Sequence, residues 1–231
     1  MFLKAYWTYK SLWESDLDYL RQFVPPDSWI VDVGANVGFF THQFCGWLSG
    51  GGRVLAFEPE QENFRALQEM VRRYGHDGHV LARRALLADD DTTLCLELNA
   101  DNPADHHIGA SGVPTPANRL DTVMHELGWP PVGLIKIDVQ GAECMVLEGA
   151  RQTLQRSRPA MLVEVDDRAL RRFGATAEGL RRWLLDAGYL MYSAVDQGGL
   201  APVDRARAEA LVRRLGYADF VFLPRPSAAP R

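Results

Sequence analysis

Along this chain, short apolar runs of strand length alternate with stretches in which apolar residues recur every three or four positions. The first pattern predicts buried strands, and the second predicts amphipathic helices. The predicted strands are Trp29–Val33, Arg53–Glu58, Val80–Arg84, Leu134–Val139, Ala160–Val165, Tyr189–Ser193 and Asp219–Leu223. The predicted helices are Phe39–Leu48, Gln61–Tyr74, 143–156, Ala177–Ala187 and 202–215. Strands that alternate with helices in this order predict a doubly wound α/β domain with a largely parallel sheet.

The chain divides into three predicted parts. Residues 1–28 contain leucines at near-helical spacing, which predicts a helical cap that covers a cleft or forms a dimer contact. The α/β domain occupies 29–223, and the Pro- and Ala-rich residues 224–231 predict a flexible tail. Within the domain, Thr92–Leu98 alternates like an added strand, whereas the polar residues 99–118 predict a long loop over a binding site.

A glycine-containing turn follows the first predicted strand. The sequence there reads Asp32-Val-Gly34-Ala35-Asn36-Val-Gly38, and the next strand ends in Glu58 about 20 residues later, the spacing of nucleoside pockets. Gly34 allows a sharp turn, and Gly38 allows a helix to begin close to a ligand. Glu58 is expected to accept hydrogen bonds from two ribose hydroxyls. The alternative is a tight turn in a domain that binds no ligand.

The residues of this turn discriminate between nucleoside cofactors. Asn36 occupies the position of the glycine that lets a pyrophosphate approach in dinucleotide-binding folds. The carboxylate of Asp32 would repel phosphate but favour a cation, and S-adenosylmethionine carries an ammonium and a sulfonium group. No phosphate-binding motif of the G-x-x-x-x-G-K-[ST] type is present. The turn therefore favours S-adenosylmethionine over a dinucleotide.

A second motif, Lys136-Ile-Asp138-Val-Gln140-Gly-Ala-Glu143, ends the fourth predicted strand. Because side chains alternate along a strand, Lys136 and Asp138 are expected on one face. Asp138 is then at a strand tip beside the predicted cofactor. The structural alternative is that Lys136 and Asp138 simply pair and that Glu143 caps the next helix.

Composition narrows the class of protein. The 231 residues are 47% hydrophobic, and their formal net charge is −5 with arginines spread along the chain, which argues against nucleic-acid binding. The odd, widely spaced cysteines Cys45, Cys95 and Cys144 fit a reducing compartment. No apolar run approaches the ~20 residues that span a bilayer, and no signal peptide is evident. A cytoplasmic protein without a membrane segment is expected.

Together, these motifs resemble the FkbM family of class I S-adenosylmethionine-dependent methyltransferases. The resemblance covers about residues 28–166 and includes the segments Ala56-Phe-Glu-Pro59, Leu120-Asp121 and Val146-Leu-Glu-Gly-Ala150. It implies a Rossmann-like sheet of seven mostly parallel strands. It also implies S-adenosylmethionine as donor and a hydroxyl acceptor on a sugar, polyketide or other natural product. Gln140 stands where the family usually has Glu, which puts an acid–base role for that position in doubt.

The resemblance implies a set of cofactor-binding residues. Those near the methionine moiety, the ribose, the adenine and the transferring methyl group are Asp32, Gly34, Ala35, Asn36, Gly38, Glu58, Pro59, Ala85, Leu86 and Asp138.

The acceptor hydroxyl must lose a proton, and a base with a pKa near 7 serves best, so histidine is the first candidate. His106 and His107 are the predicted bases, with Asp138 as the orienting carboxylate. Alternatively, Mg²⁺ held by Asp138, Asp105 and Asp101 would lower the pKa of the hydroxyl. Two other functions stay open at this point: an NAD(P)-dependent oxidoreductase and a non-catalytic S-adenosylmethionine-binding protein.

Overall fold

The computed structural model of the protein describes residues 17–99, 102, 105–195 and 199–226. Its strands are β1 Trp29–Val33, β2 Val54–Phe57, β3 Val80–Arg83, β4 Leu86–Leu87, β5 Thr92–Glu97, β6 His107–Gly109, β7 Val113–Asn118, β8 Val132–Ile137, β9 Ala160–Val165, β10 Tyr189–Val195, β11 Gly199–Pro202 and β12 Ala218–Pro224. Its α-helices are α1 Phe39–Cys45, α2 Gln61–Arg73, α3 Leu120–Glu126, α4 Glu143–Gly149, α5 Arg151–Ser157, α6 Asp167–Arg172, α7 Ala177–Asp186 and α8 Arg205–Leu215.

The main sheet has the strand order β11-β10-β12-β9-β8-β1-β2-β3. The five strands from β9 to β3 are parallel, whereas β12 runs antiparallel to β9 and β10. All seven predicted strands lie in this sheet. The eighth, β11, pairs with β10 at the edge. The predicted class, a mostly parallel Rossmann-like α/β fold, is confirmed.

Two apolar layers cover the faces of this sheet. Because strand side chains alternate, Val31 and Val33 of β1 pack in the larger cluster, and Ile30 packs in the other. On the second face, α2 buries Leu67 and Met70, as its helical periodicity predicts.

The described residues of the predicted cap, from 17 to 28, include a short 3₁₀-helix, Asp18–Phe23. Its flanking Leu17 and internal Leu20 are buried in the second apolar layer. Residues 1–16 and the predicted tail from residue 227 onward lie outside the described residues.

A second, four-stranded sheet with the order β4-β7-β5-β6 corrects the prediction of a long loop over 99–118. In the sequence, Pro114 and Pro116 argue against a strand at this point, because proline has no amide hydrogen to donate to a neighbouring strand. In the structure both prolines are exposed, while Thr115 between them and Ala117 after them are buried against β5. The alternation is that of a strand covered on one side only.

The helix predicted over 143–156 is two helices, α4 and α5. Gly149 ends α4 where a side chain would overlap the backbone carbonyl of Ala88, so only glycine permits this close approach. The carboxylate of Asp121, a residue of α3, caps the start of α5. It accepts hydrogen bonds from the backbone amides of Gln152 and Thr153 at 2.9 and 2.8 Å. Cys45, Cys95 and Cys144 are free thiols. No helix within the described ranges is long and apolar enough to cross a bilayer.

Candidate active site

The carboxyl ends of β9, β8, β1 and β2 border a cleft of about 780 Å³, the edge at which α/β sheets bind ligands. Ten of the predicted cofactor-binding, catalytic and metal-ligating residues line it: Gly34, Asn36, Glu58, Pro59, Ala85, Leu86, Asp105, His106, His107 and Asp138. Three do not, namely Asp32, Ala35 and Gly38. Asp101 lies outside the described residues.

The turn after β1 is shaped by packing within the protein. Gly34 has a φ of 81°, and a side chain on it would overlap the backbone oxygen of Asp138. Gly38 has a φ of 89°, and a side chain there would meet Met70 and Leu67 of α2. Both glycines therefore bring β1 and α1 close to their neighbours.

Asn36 also has a positive φ, 50°, which asparagine tolerates better than most side chains. Its side-chain oxygen accepts a hydrogen bond from the amide of Val37 at 2.7 Å. The local hydrogen bond and the left-handed backbone explain how asparagine replaces glycine here.

Glu58 follows β2 and is almost completely buried. Its two carboxylate oxygens accept the backbone amides of Asn36 at 2.8 Å and Glu60 at 2.9 Å. Burial raises the pKa of Glu58 to about 7, although the two amides oppose the shift. The carboxylate is thus fixed in position at the cleft and changes its charge near neutral pH.

Asp32 and Lys136 form a buried pair beneath the cleft. They are register partners on β1 and β8, with the Lys136 ammonium 4.0 Å from Asp32 Oδ1. Thr41 donates a hydrogen bond of 2.6 Å to the other oxygen of Asp32. Asp32 is therefore an interior counter-charge, whereas the sequence argument placed its carboxylate at the ligand.

Asp138, one pleat beyond Lys136, lines the cleft and accepts a hydrogen bond from the Lys136 ammonium at 3.2 Å. Burial alone would lower the pKa of Lys136, but Asp138 and Asp32 hold it well above its ordinary value. Lys136 therefore stays charged and fixes the Asp138 carboxylate.

Glu143 holds the loop between Asp138 and α4. Its Oε1 accepts the amides of Gly141 at 3.0 Å and Val139 at 3.3 Å, and burial raises its pKa to about 7. It does not line the cleft. Glu143 lies in the first turn of α4, but its carboxylate holds the preceding loop and, within the described residues, makes no cap hydrogen bond to that helix.

The predicted bases lie at the Glu58 end of the cleft. His106 precedes β6, and its Nδ1 accepts the amide of Asn99 at 3.0 Å. Burial lowers its pKa, while the charges of Glu60 and Asp105 oppose this shift. Within the described residues, neither histidine is bonded to Asp138, so the predicted histidine–aspartate arrangement is not formed.

Asp101, one of the predicted magnesium ligands, lies outside the described residues, and the other two, Asp105 and Asp138, belong to no metal-binding group within them. In the part of the chain that the structure describes, no three His, Cys, Asp or Glu side chains are grouped to hold a metal ion. The Asp138 carboxylate is instead bound to Lys136.

The other end of the cleft contains side chains that the sequence argument did not select: Glu164, Asp166, Arg168, Arg172 and Tyr217. Glu164 follows Val163, the register partner of Ile137, and therefore lies beside Asp138 at the sheet edge. An acid after the apolar run Ala160–Val163 was a usable signal, because Asp32 and Asp138 follow similar runs.

Solved methyltransferases share this fold. Methyltransferase FkbM from Methylobacillus flagellatus KT matches with a TM-score of 0.56 over 90% of this chain and 50% of its own length, at 16% identity. A precorrin-6y C5,15-methyltransferase from Geobacter metallireducens GS-15 gives a TM-score of 0.50 over 91% of this chain and 85% of its own, at 12% identity. The fold is therefore the Rossmann-like fold that these methyltransferases share.

The family follows from the sequence match. The model of the methyltransferase FkbM domain matches residues 32–191, well over half of the chain. The protein therefore belongs to the FkbM methyltransferase family.

Curated relatives share this domain. The 31-O-demethyl-FK506 methyltransferase FkbM of Streptomyces tacrolimicus is 28% identical over 71% of this chain and 75% of its own length. Methyltransferase 1 of Beauveria bassiana is 30% identical over 54% of this chain and 59% of its own. The AMB antimetabolite synthetase AmbE of Pseudomonas aeruginosa PAO1 is 27% identical over 89% of this chain, which spans only 12% of that much longer protein.

Proposed function

We propose that the protein transfers a methyl group from S-adenosylmethionine to a hydroxyl group of a small natural-product acceptor, such as a sugar or a polyketide. The observation that carries the proposal is that Glu58 and Asp138 line the same cleft in a chain of the FkbM family. The Streptomyces tacrolimicus relative, named for a 31-O-demethyl substrate, supports an oxygen acceptor.

The residues of the cleft fit this cofactor. A volume of about 780 Å³ is in the range of small-molecule sites. The Glu58 carboxylate suits ribose hydroxyls, and the apolar Ala85 and Leu86 suit an adenine ring. The carboxylates of Asp138 and Glu164 favour a cation, and nothing in the turn around Asn36 provides for a pyrophosphate. When bound, S-adenosylmethionine supplies a methyl group on a positively charged sulfur.

The protein's own part in the reaction is to position the donor and the acceptor and to remove the proton of the acceptor hydroxyl. Lys136 fixes the Asp138 carboxylate at the cleft, and Glu58 is fixed by two backbone amides. Holding donor and acceptor in line contributes much of the rate enhancement in such displacements.

The test is methyl transfer from S-adenosylmethionine labelled in its methyl group to a panel of hydroxylated sugars and macrolides. Label recovered as a methyl ether is expected for at least one acceptor. Label recovered only on nitrogen or carbon would contradict the oxygen acceptor. Cofactor binding with no transfer to any acceptor class would favour the non-catalytic alternative.

A further inference from the structure

One acidic residue of the cleft, Glu164, is not explained by any bond to the other described residues. Glu164 lines the cleft at the end of β9, and it is mostly buried. Among the described residues, no hydrogen-bond or ion-pair partner lies within reach of its carboxylate. Burying a carboxylate without a partner destabilises the folded protein. The group is therefore either a loss of stability without explanation or a group that acts on a ligand.

Three acidic groups act on Glu164. Asp138 of β8 lies beside it, Asp219 of β12 is its register partner, and Glu143 of α4 is also near enough to act on it. The one cation among these groups, Lys136, is already paired with Asp138 and Asp32. At the rim, the exposed Arg168 and Arg172 line the same end of the cleft.

These acidic neighbours affect the protonation of Glu164. Burial raises the pKa of Glu164 well above its ordinary value, and Asp138 and Asp219 raise it further, while Lys136 opposes them. Without a ligand, the carboxyl group therefore keeps its proton to a higher pH than an ordinary glutamate. A cation placed in the cleft would favour the ionised form.

We infer that Glu164 is the general base of the methyl transfer and that the sulfonium charge of the donor switches it on. This inference rests on the proposed function. Binding of the cation releases the Glu164 proton to solvent and leaves a carboxylate beside the acceptor. The acceptor oxygen then bonds to the methyl carbon as the carbon–sulfur bond breaks, and the hydroxyl proton passes to Glu164. The positive charge on sulfur and the negative charge on Glu164 disappear together, which suits a cleft with little solvent.

The location of the histidines supports Glu164 over them. His106 interacts with Glu60 and Asp105 at the Glu58 end of the cleft, and the two strands β8 and β1 separate β2, which precedes Glu58, from β9. Glu164 is the neighbour of Asp138, the residue that the family resemblance places at the methyl group.

The test needs no acceptor, because it measures protons released when the cofactor binds. Calorimetric titrations with S-adenosylmethionine in buffers of different ionisation enthalpy give the number of protons released, and S-adenosylhomocysteine provides the reference. Both ligands carry the same ribose and amino group, so their difference isolates the sulfonium charge. The wild-type protein is expected to release up to about one more proton with S-adenosylmethionine, at a pH just below the pKa of Glu164 in the ligand-free protein.

Three variants sharpen the result. Glu164→Gln should abolish the difference while S-adenosylhomocysteine still binds within about threefold of wild type. Asp219→Asn, which keeps Glu164 but removes a neighbouring charge, should move the maximum of release to lower pH. The exposed control Glu209→Gln should change nothing.

Equal proton release with the two ligands, or a difference that persists in Glu164→Gln and vanishes in His106→Ala, would overturn the inference. If neither ligand binds, the proposed function itself is contradicted. The wild-type comparison decides the question even where a variant does not fold.

Discussion

Replacement of Glu58 by glutamine separates a functional cost from a structural one. Glu58 is buried at the end of β2, and burial raises its pKa from 4.5 to about 7. A carboxyl group whose pKa is raised on folding binds more protons in the folded state. Its contribution to stability is therefore complete below its unfolded pKa and is lost as the pH rises through the folded value. Glutamine has no such dependence.

The size of the effect follows from the shift. Moving the pKa of Glu58 from 4.5 to about 7 corresponds to about 3 kcal/mol, at about 1.4 kcal/mol for each pKa unit. Near pH 5 the wild-type carboxyl is protonated and resembles the amide, so Glu58→Gln should change stability little. Near pH 8 the variant should be relatively more stable by about 3 kcal/mol.

Cofactor affinity should move in the opposite direction. The ionised Glu58 is proposed to accept two ribose hydroxyls, and hydrogen bonds to a charged group contribute about 1.5–3 kcal/mol each. Glu58→Gln should therefore bind S-adenosylmethionine at least about tenfold more weakly at pH 8. A variant that is more stable but binds more weakly has the signature of a functional residue.

The assay combines urea denaturation at several pH values with calorimetric titration of the cofactor. Glu62→Gln is the matched control, because Glu62 is an exposed acid on α2 that pairs with Arg65 at the surface. The control should follow wild type in both measurements. Parallel pH profiles for Glu58→Gln and wild type, or an unchanged cofactor affinity, would refute the reasoning.

Three further outcomes are expected. Gly34→Ala should cost more than about 3 kcal/mol of unfolding free energy, since the new methyl group overlaps the backbone oxygen of Asp138. The control Gly75→Ala should cost only about 1–2 kcal/mol, because Gly75 has a similar φ of 69° but open space around it. Asp121→Asn should cost about 2–3 kcal/mol in the same denaturation assay, because the Asp121 carboxylate holds the first turn of α5. Thr153→Val removes one hydroxyl contact with that carboxylate and should cost about 1 kcal/mol. EDTA should leave methyl transfer unchanged, because no three His, Cys, Asp or Glu side chains among the described residues are grouped to hold a metal ion. Activity that is lost with EDTA and restored by Mg²⁺ would contradict this.

Much of the main sheet was predictable because its strands are buried on both faces. Such strands appear in the sequence as continuous apolar runs, and parallel strands place the residues that follow them at one edge. Glu58 and Asp138 were placed at the cleft by this argument alone. Asp32 was placed there too, but it lies one residue before the end of β1, opposite Lys136, and is fully buried.

The remaining features depend on contacts between distant segments. Prolines at 114 and 116 conceal β7, which is a strand only because β5 and β4 flank it. Glu164 carries a recognisable sequence signal, but its importance depends on the antiparallel insertion of β12, which brings Asp219 beside it. Single-segment patterns contain no information on such a pairing.

The central claim is that the cleft between Glu58 and Asp138 binds S-adenosylmethionine and not a dinucleotide. Calorimetric titration of the wild-type protein with S-adenosylmethionine and, separately, with NADH tests it most directly. The account predicts one S-adenosylmethionine bound per chain, displaced by S-adenosylhomocysteine, and no heat of binding from NADH. Saturable binding of NADH without binding of S-adenosylmethionine would contradict it.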